Sequence, residues 1–357
     1  MLRSVHIENF RALREFRMSG LGRVNLLVGT NNCGKTSILE ALHLLSLAGH
    51  SAPLLSALRR RGEYVDGGGH LAVSHLVHGH RFIEGRQFKL EGTDEIATRS
   101  VTATMLTAEE AALHPAVRDA LRPGVDLPDI PESILRVGWL RAEESRRVDV
   151  PLLGNGGISA YRRLRDVEKS ESDTAYIITT AGVSDNDVVG MLDATVLTPA
   201  EDLVLDALRV IEPGVQRLAT VGPRDQEHDD YGRVMTMLAG QRLPLGSLGD
   251  GVKRLLGLAL GLVRASAGVL LVDEIDTGLH YSVLTKMWQL VYETANRLDV
   301  QVFATTHSRD CYESLAEIAV ADRNDISVQR IERNKVEAVA FSEAELRVAA
   351  ERGLEVR

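Results

Sequence analysis

Three short stretches carry residue types whose spacing could do chemistry. The first is Gly29-Thr30-Asn31-Asn32-Cys33-Gly34-Lys35-Thr36, which fits G-x-x-x-x-G-K-T. It lies between the apolar run Val24 to Val28 and a helical pattern from Thr36 to Leu47. Glycines that accept unusual backbone angles let successive N–H groups converge on an anion, at the N-terminus of the helix that follows. The loop therefore reads as a phosphate cradle. Asn31, Asn32, Cys33, Gly34, Lys35, Thr36 and Ser37 are the expected nucleotide contacts. Lys35 would reach the β and γ oxygens, and the Thr36 hydroxyl would ligate Mg²⁺.

The second stretch, Leu271 to His280 (LVDEIDTGLH), ends an apolar run with three acids in four positions. Carboxylates at the end of a buried strand cost several kcal/mol, roughly, unless a cation or a proton compensates them. Asp273 fits a ligand of the Mg²⁺ and water shell, and Glu274 fits the group that polarises an attacking water. Asp276 would lie one turn further on, facing a partner subunit. The third stretch, Val302 to Ser308 (VFATTHS), is a strand that delivers His307 at its C-terminal end, where open α/β sheets gather ligands. His307 is expected to contact the γ-phosphate.

These groups need a scaffold. Val24 to Val28, Val269 to Val272 and Gln301 to Thr305 read as buried parallel strands, apolar or nearly so throughout. Helical spacing recurs over 202–211, 246–265 and 282–297, and strands over about 326–332 and 335–341 form a hairpin across Arg333-Asn334. A capping box at Ser342 to Glu345 opens a last helix. Residues 70 to about 106 alternate weakly and read as antiparallel strands. His75, His78 and His80 fall there, with His78 and His80 on one face if the strand alternates. The irregular stretch 107–186 reads as an inserted, mainly helical arm. The expected division is an N-terminal lobe over 1–106, the arm over 107–186 and a C-terminal lobe over 187–357.

Composition sets the outer limits. The chain has 357 residues, 44% hydrophobic and 25% charged, as in an ordinary globular protein. Its net charge of −9 argues against coating nucleic acid with the whole surface. The clusters Arg59 to Arg61, Arg146-Arg147, and Arg162-Arg163 with Arg165 leave solvated faces and a local nucleic-acid patch both open. Two cysteines make no disulfide framework, and Cys33 reads as an incidental reactive site inside the loop. With no membrane-length apolar run and no secretory signal, the expected compartment is the cytoplasm.

Ser247-Leu248-Gly249-Asp250-Gly251-Val252-Lys253-Arg254 runs from a flexible turn into an apolar helix, 22 residues before Asp273. Together with Ile7-Glu8-Asn9-Phe10-Arg11, the phosphate loop, the Asp273-Glu274 pair, the Asp276 loop and His307, it resembles the ABC-type ATPases of the RecF, SMC and OLD group. The Gly278-Leu279-His280 ending and the Gly-Asp-Gly signature look most like stand-alone OLD-type, AAA-annotated bacterial ATPases. The resemblance implies an α/β P-loop NTPase, an ABC-type ATPase head with an antiparallel β subdomain. It also implies Arg11, Gly249 and Gly251 as nucleotide contacts, ATP and Mg²⁺ as ligands, and a homodimer closed around two ATP molecules.

Two departures from the family matter. The signature serine aligns with Gly249, and no Q-loop glutamine stands out beyond Gln87. The stretch after His307 shows no metal-nuclease pattern, so the resemblance points to a separate effector, often a nuclease, in DNA repair or anti-phage defence. DNA is a candidate ligand and a membrane is not. The alternatives are a nucleotide-dependent scaffold with negligible hydrolysis and, less well supported, a transporter ATPase subunit.

Overall fold

The computed structural model describes residues 1–47, 52–65, 69–81, 83–121, 130–158, 175–222, 233–320, 323, 325–354 and 356. In chain order the first elements are strands β1 (Leu2–Phe10), β2 (Leu13–Ser19) and β3 (Val24–Val28), then helices α1 (Lys35–Ser46) and α2 (Ala52–Arg60). Next come β4 (Gln87–Asp94), β5 (Thr98–Met105), α3 (Ala108–Leu113), α4 (Pro115–Ala120), β6 (Ser133–Arg141), β7 (Glu144–Leu152) and β8 (Ala175–Ile178). Then follow α5 (Asp185–Asp193), α6 (Glu201–Arg209), β9 (Val215–Val221), β10 (Arg233–Leu238), β11 (Gln241–Pro244) and α7 (Asp250–Arg264). The chain closes with β12 (Val269–Val272), α8 (Leu284–Arg297), β13 (Gln301–Thr305), α9 (Arg309–Ile318), β14 (Ile326–Arg330), β15 (Val339–Phe341) and α10 (Glu343–Glu351).

Two units divide these elements. The first takes the described residues of Met1–Ser19, Asn32–Asp173 and Arg333–Ala338. Its antiparallel sheet has the order β2-β1-β4-β5-β6-β7. Leu2, Val5, Ile7 and Phe10 of β1 and alternate residues of β4 are buried, and Phe10 meets Phe88 edge-on with ring centroids 5.1 Å apart. Almost every position of α1 is buried, including Lys35, Glu40 and His43. Glu40 is held by two arginines: Arg11 Nε lies 2.6 Å from Oε2, and Arg61 donates through Nε and Nη2 at 3.0 Å each. Arg11 also donates to Glu63 at 2.8 Å, so its guanidinium ties the β1–β2 turn to α1.

The second unit takes the described residues of Gly20–Asn31, Thr174–Glu332 and Val339–Arg357. Its main sheet has the order β15-β14-β3-β13-β12-β8, parallel except for the β14–β15 pair. β3, β12 and β13 are buried at every position, as strands covered on both faces must be. α7 explains its own composition. Leu255, Leu258 and Leu262 join the core with the parallel strands, while Val252, Leu256, Ala259 and Leu260 join a second core with α5, α6 and β9. A helix buried on opposite faces has to be apolar nearly all round.

The stretch 107–186 departs from the mainly helical expectation. α3 and α4 are helices, but β6 and β7 extend the antiparallel sheet and β8 belongs to the parallel one. The reason is legible in β6, where Leu135, Val137 and Trp139 turn inward in alternation. The cluster Arg162, Arg163 and Arg165 lies outside the described residues. Among the described residues no helix is long and apolar enough to cross a membrane.

Two outcomes follow for the first unit. Arg11→Ala should destabilise it by about 3–5 kcal/mol, because a buried carboxylate loses one of its cations; chemical denaturation of the variant measures this. His43 is buried, and burial, with a smaller contribution from the Arg60 charge, lowers its pKa from 6.5 to about 3. The unfolded chain therefore binds a proton near pH 6.5 that the folded chain refuses until about pH 3. This stability is fully present above pH 6.5 and is lost as pH falls, at about 1.4 kcal/mol per unit. Denaturation between pH 7 and 4 should show that slope, reduced in His43→Gln.

Candidate functional site

The phosphate loop is divided between the units, and each part has its own geometry. In the second unit Gly29 follows β3 with φ 146°, and Asn31 is exposed. In the first, Asn32 and Gly34 take φ of 59° and 105° before α1 begins. A Cβ on Gly34 would also lie 2.9 Å from Leu13 Cδ2, so glycine is required twice over. The Ile38 amide donates to Gly34 O at 2.9 Å, closing the first turn of α1. Thr36 is exposed, whereas Lys35, Cys33 and Ser37 are buried. Lys35 Nζ donates to Cys33 Sγ at 3.7 Å. The expected reactive thiol is thus covered and serves as a soft acceptor for the lysine.

The acids sit where neighbouring parallel strands end in register. Val272 pairs with Ala304, which puts Asp273 beside Thr305. The Thr305 hydroxyl donates to Asp273 Oδ1 at 2.6 Å and accepts from the Glu274 amide at 2.8 Å. Glu274 has φ 50°, in the left-handed region where a glutamate is strained. Its carboxylate receives the Thr277 hydroxyl at 3.3 Å and lies 3.8 Å from His307 Nε2. Both side chains are about two-fifths exposed, so this pair faces solvent from a buried base. Asp276, expected to face a partner, is half-buried and accepts the Thr306 hydroxyl at 2.7 Å. Consecutive threonines thus clamp two of the three acids.

The cation that meets these acids from within the unit is Arg254 on α7. Nη1 donates to Thr179 O at 3.0 Å, and Nη2 to Asp273 O and Glu274 O at 2.9 and 2.6 Å. Burial pulls its pKa down, and the charges of Asp276, Asp273 and Glu274 oppose that shift. Sequence reasoning missed the roles of Thr305 and Arg254. The signal was present as two adjacent threonines before His307 and as an arginine buried in a helix whose next nine residues are apolar or glycine.

The signature segment has one open and one closed glycine. Gly249 takes φ 93° with nothing within 4 Å of a Cβ, so space would admit a serine but backbone strain opposes it. Gly251 packs tightly, since a Cβ there would lie 3.2 Å from both Gly278 O and Ile211 Cδ1. A cavity of about 370 Å³ lies alongside, its lining including Thr180, Gly182, Asp185, Asp250, Lys253 and Arg254.

Other expected residues are placed differently. Arg11, an expected nucleotide contact, is buried within the first unit in ion pairs with Glu40 and Glu63. Gln87 is exposed at the start of β4 and accepts the Thr104 hydroxyl at 3.4 Å. His75 lies in a 3₁₀ turn, Val73–Leu76, instead of an alternating strand. It pairs with His80, Nδ1 to Nδ1 at 3.3 Å, while His78 Nδ1 meets Arg11 O. Among the described residues no group of three or more His, Cys, Asp or Glu could hold a metal.

Thr305→Val keeps the shape and removes the hydroxyl that joins Asp273 to Glu274. It should cost about 1–3 kcal/mol, because a buried amide loses its acceptor. Unchanged denaturation midpoints would show that the clamp is dispensable.

Comparison with known proteins bears on what this arrangement does. Residues 1–84 match the family model "AAA ATPase domain", and residues 203–310 match "AAA domain, putative AbiEii toxin, Type IV TA system". An ATP/GTP phosphatase of Helicobacter pylori is 20% identical over 346 residues, covering 89% of this chain and 88% of that protein. A RecF DNA replication and repair protein of Thioalkalivibrio sulfidiphilus is 47% identical over 51 residues, 14% of each chain. An uncharacterised protein of Methanocaldococcus jannaschii is 50% identical over 44 residues, 12% of this chain. The chain spans only 20% of that protein's length and 14% of the RecF protein's. Among solved structures, the Smc head domain from Pyrococcus furiosus, bound to the C-terminal domain of ScpA, superposes with a TM-score of 0.50 at 13% identity, over 99% of both chains. The fold, the two ATPase-domain matches and the phosphate loop agree with an ATPase of the ABC type, and part of the chain is similar to RecF proteins.

Proposed function

We propose that Lys35 and Thr36, with the N–H groups of Asn31 to Ser37, bind the triphosphate of ATP, and that Asp273, Glu274 and His307 act on the same nucleotide. The observation that carries this reading is the Thr305 clamp, which fixes Asp273 Oδ1 and the Glu274 amide through one hydroxyl. Asp273 and Thr36 offer carboxylate and hydroxyl oxygens, the donors a hard cation such as Mg²⁺ prefers. Bound there, Mg²⁺ would neutralise charge on the β and γ oxygens. Glu274 then takes the proton of an attacking water, and His307, 3.8 Å from that carboxylate, orients on the γ-phosphate.

Hydrolysis in this reading is tied to self-association. The helix N-terminus at Gly249 to Gly251 would meet the γ-phosphate of a second copy through its N–H groups. The nucleotide cycle then gates a separate effector of nuclease type, in DNA repair or anti-phage defence. The Smc head bound to a ScpA domain supports a partner protein, and the family description naming a type IV TA toxin supports a defence role. A second reading, a nucleotide-dependent scaffold with negligible turnover, is favoured by Gly249, which cannot offer a side-chain hydroxyl.

The readings separate on turnover. Lys35→Ala should weaken Mg-ATP binding at least tenfold, about 1.4 kcal/mol, by calorimetry. Glu274→Gln should bind ATP like the wild type, lose hydrolysis by about 100-fold or more, and accumulate as an ATP-bound dimer in light scattering. Asp273→Asn should lose the Mg²⁺-dependence of tight binding. If Glu274→Gln and wild type release phosphate equally slowly, the scaffold reading prevails.

A further inference from the structure

Arg254 is a buried cation, 7% exposed, whose hydrogen bonds go to main-chain carbonyls. That choice of partner is unusual, because buried charges are normally paired with opposite charges. Carboxylates are close by: Asp185 and Asp250 line the cavity that Arg254 also borders. The guanidinium nonetheless spans the C-terminal ends of two adjacent parallel strands. It takes Thr179 O just beyond β8, and Asp273 O and Glu274 O just beyond β12. Thr179 O and Glu274 O also accept the Gly182 and Thr277 amides at 2.9 and 3.1 Å, so the fork adds a charged donor to carbonyls at the ends of both strands.

The consequence falls on Glu274. Its amide is held by Thr305 Oγ1 at 2.8 Å and its carbonyl by Arg254 Nη2 at 2.6 Å. With the Thr277 amide also donating to that carbonyl at 3.1 Å, the residue keeps φ at 50°, a conformation uncommon for residues other than glycine. The backbone angle sets where the carboxylate points. Arg254 itself is fixed to α7, five residues beyond Gly249, on the helix whose first turn packs against Gly278 O.

We propose that Arg254 is a positioning residue for hydrolysis: it fixes the left-handed backbone at Glu274 and so aims the carboxylate, and it passes movement of the signature segment Gly249–Gly251 to that carboxylate. The proposal rests on the reading of Glu274 as the group that activates water. A role in aiming predicts a split between binding and turnover. Lys offers a point charge that cannot span three carbonyls, and the adjoining cavity gives it room without overpacking.

The test compares Arg254→Lys, Arg254→Ala and Glu274→Gln with wild type, by Mg-ATP calorimetry and steady-state phosphate release. Arg254→Lys should lower kcat by about tenfold or more while leaving ATP affinity within about twofold. Arg254→Ala should lose more, and millimolar methylguanidinium, which fits the enlarged cavity, should restore part of kcat where methylammonium does not. Circular dichroism checks folding, and if Arg254→Ala does not fold, Arg254→Lys decides alone. Wild-type kcat in Arg254→Lys, or a parallel fall in ATP affinity, would overturn the positioning role. Full turnover in Glu274→Gln would instead overturn the reading on which the proposal rests.

Discussion

The second unit depends on one electrostatic constraint: an acidic turn must follow a fully buried strand. β12 has no exposed position, and Asp273, Glu274 and Asp276 come directly after it. Unpaired, these carboxylates would be expelled toward water and the turn would lose its shape. The structure meets the constraint with neutral hydroxyls and one cation bonded to the backbone. Thr305 and Thr306 each donate to one acid, while Arg254 takes the main-chain carbonyls.

Much of the surrounding architecture serves the placement of α7. A helix carrying a cation into a core must itself be held firmly, and α7 is packed on opposite faces by two separate apolar clusters. Its glycines permit the contacts that set its depth. Gly251 lies against Gly278 O, and Gly261 lets Ile178 and Leu270 approach. The signature segment, the loop after β12 and the end of β8 are therefore joined by backbone contacts within one unit.

The first unit solves a related problem differently. α1 starts at the phosphate loop and is buried over nearly its whole length, Glu40 and His43 included. Glu40 is compensated by Arg11 and Arg61, while His43 stays neutral. Here the buried carboxylate meets two arginines, one of them on the β1–β2 turn. Arg11 belongs to this structural network. Sequence shows that an arginine follows β1 but not which carboxylates it meets.

The sequence by itself determined the local elements that covalent spacing and side-chain period control. The G-x-x-x-x-G-K-T loop opens α1, buried strands β3, β12 and β13 read as unbroken apolar runs, and the Ser342 capping box starts α10. The acids and His307 were legible as strand-end residues for the same reason. Only the tertiary structure decided which neighbours those residues acquire. The register of β12 on β13 brought Thr305 to Asp273, the burial of α7 brought Arg254 to the carbonyls beyond them, and a 3₁₀ turn paired His75 with His80 instead of His78. The strands of 133–152 were visible as alternation but were masked by charged outward positions such as Arg136 and Arg147. Periodicity is a property of one segment, whereas pairing depends on strand order and helix depth, which arise only when distant segments pack.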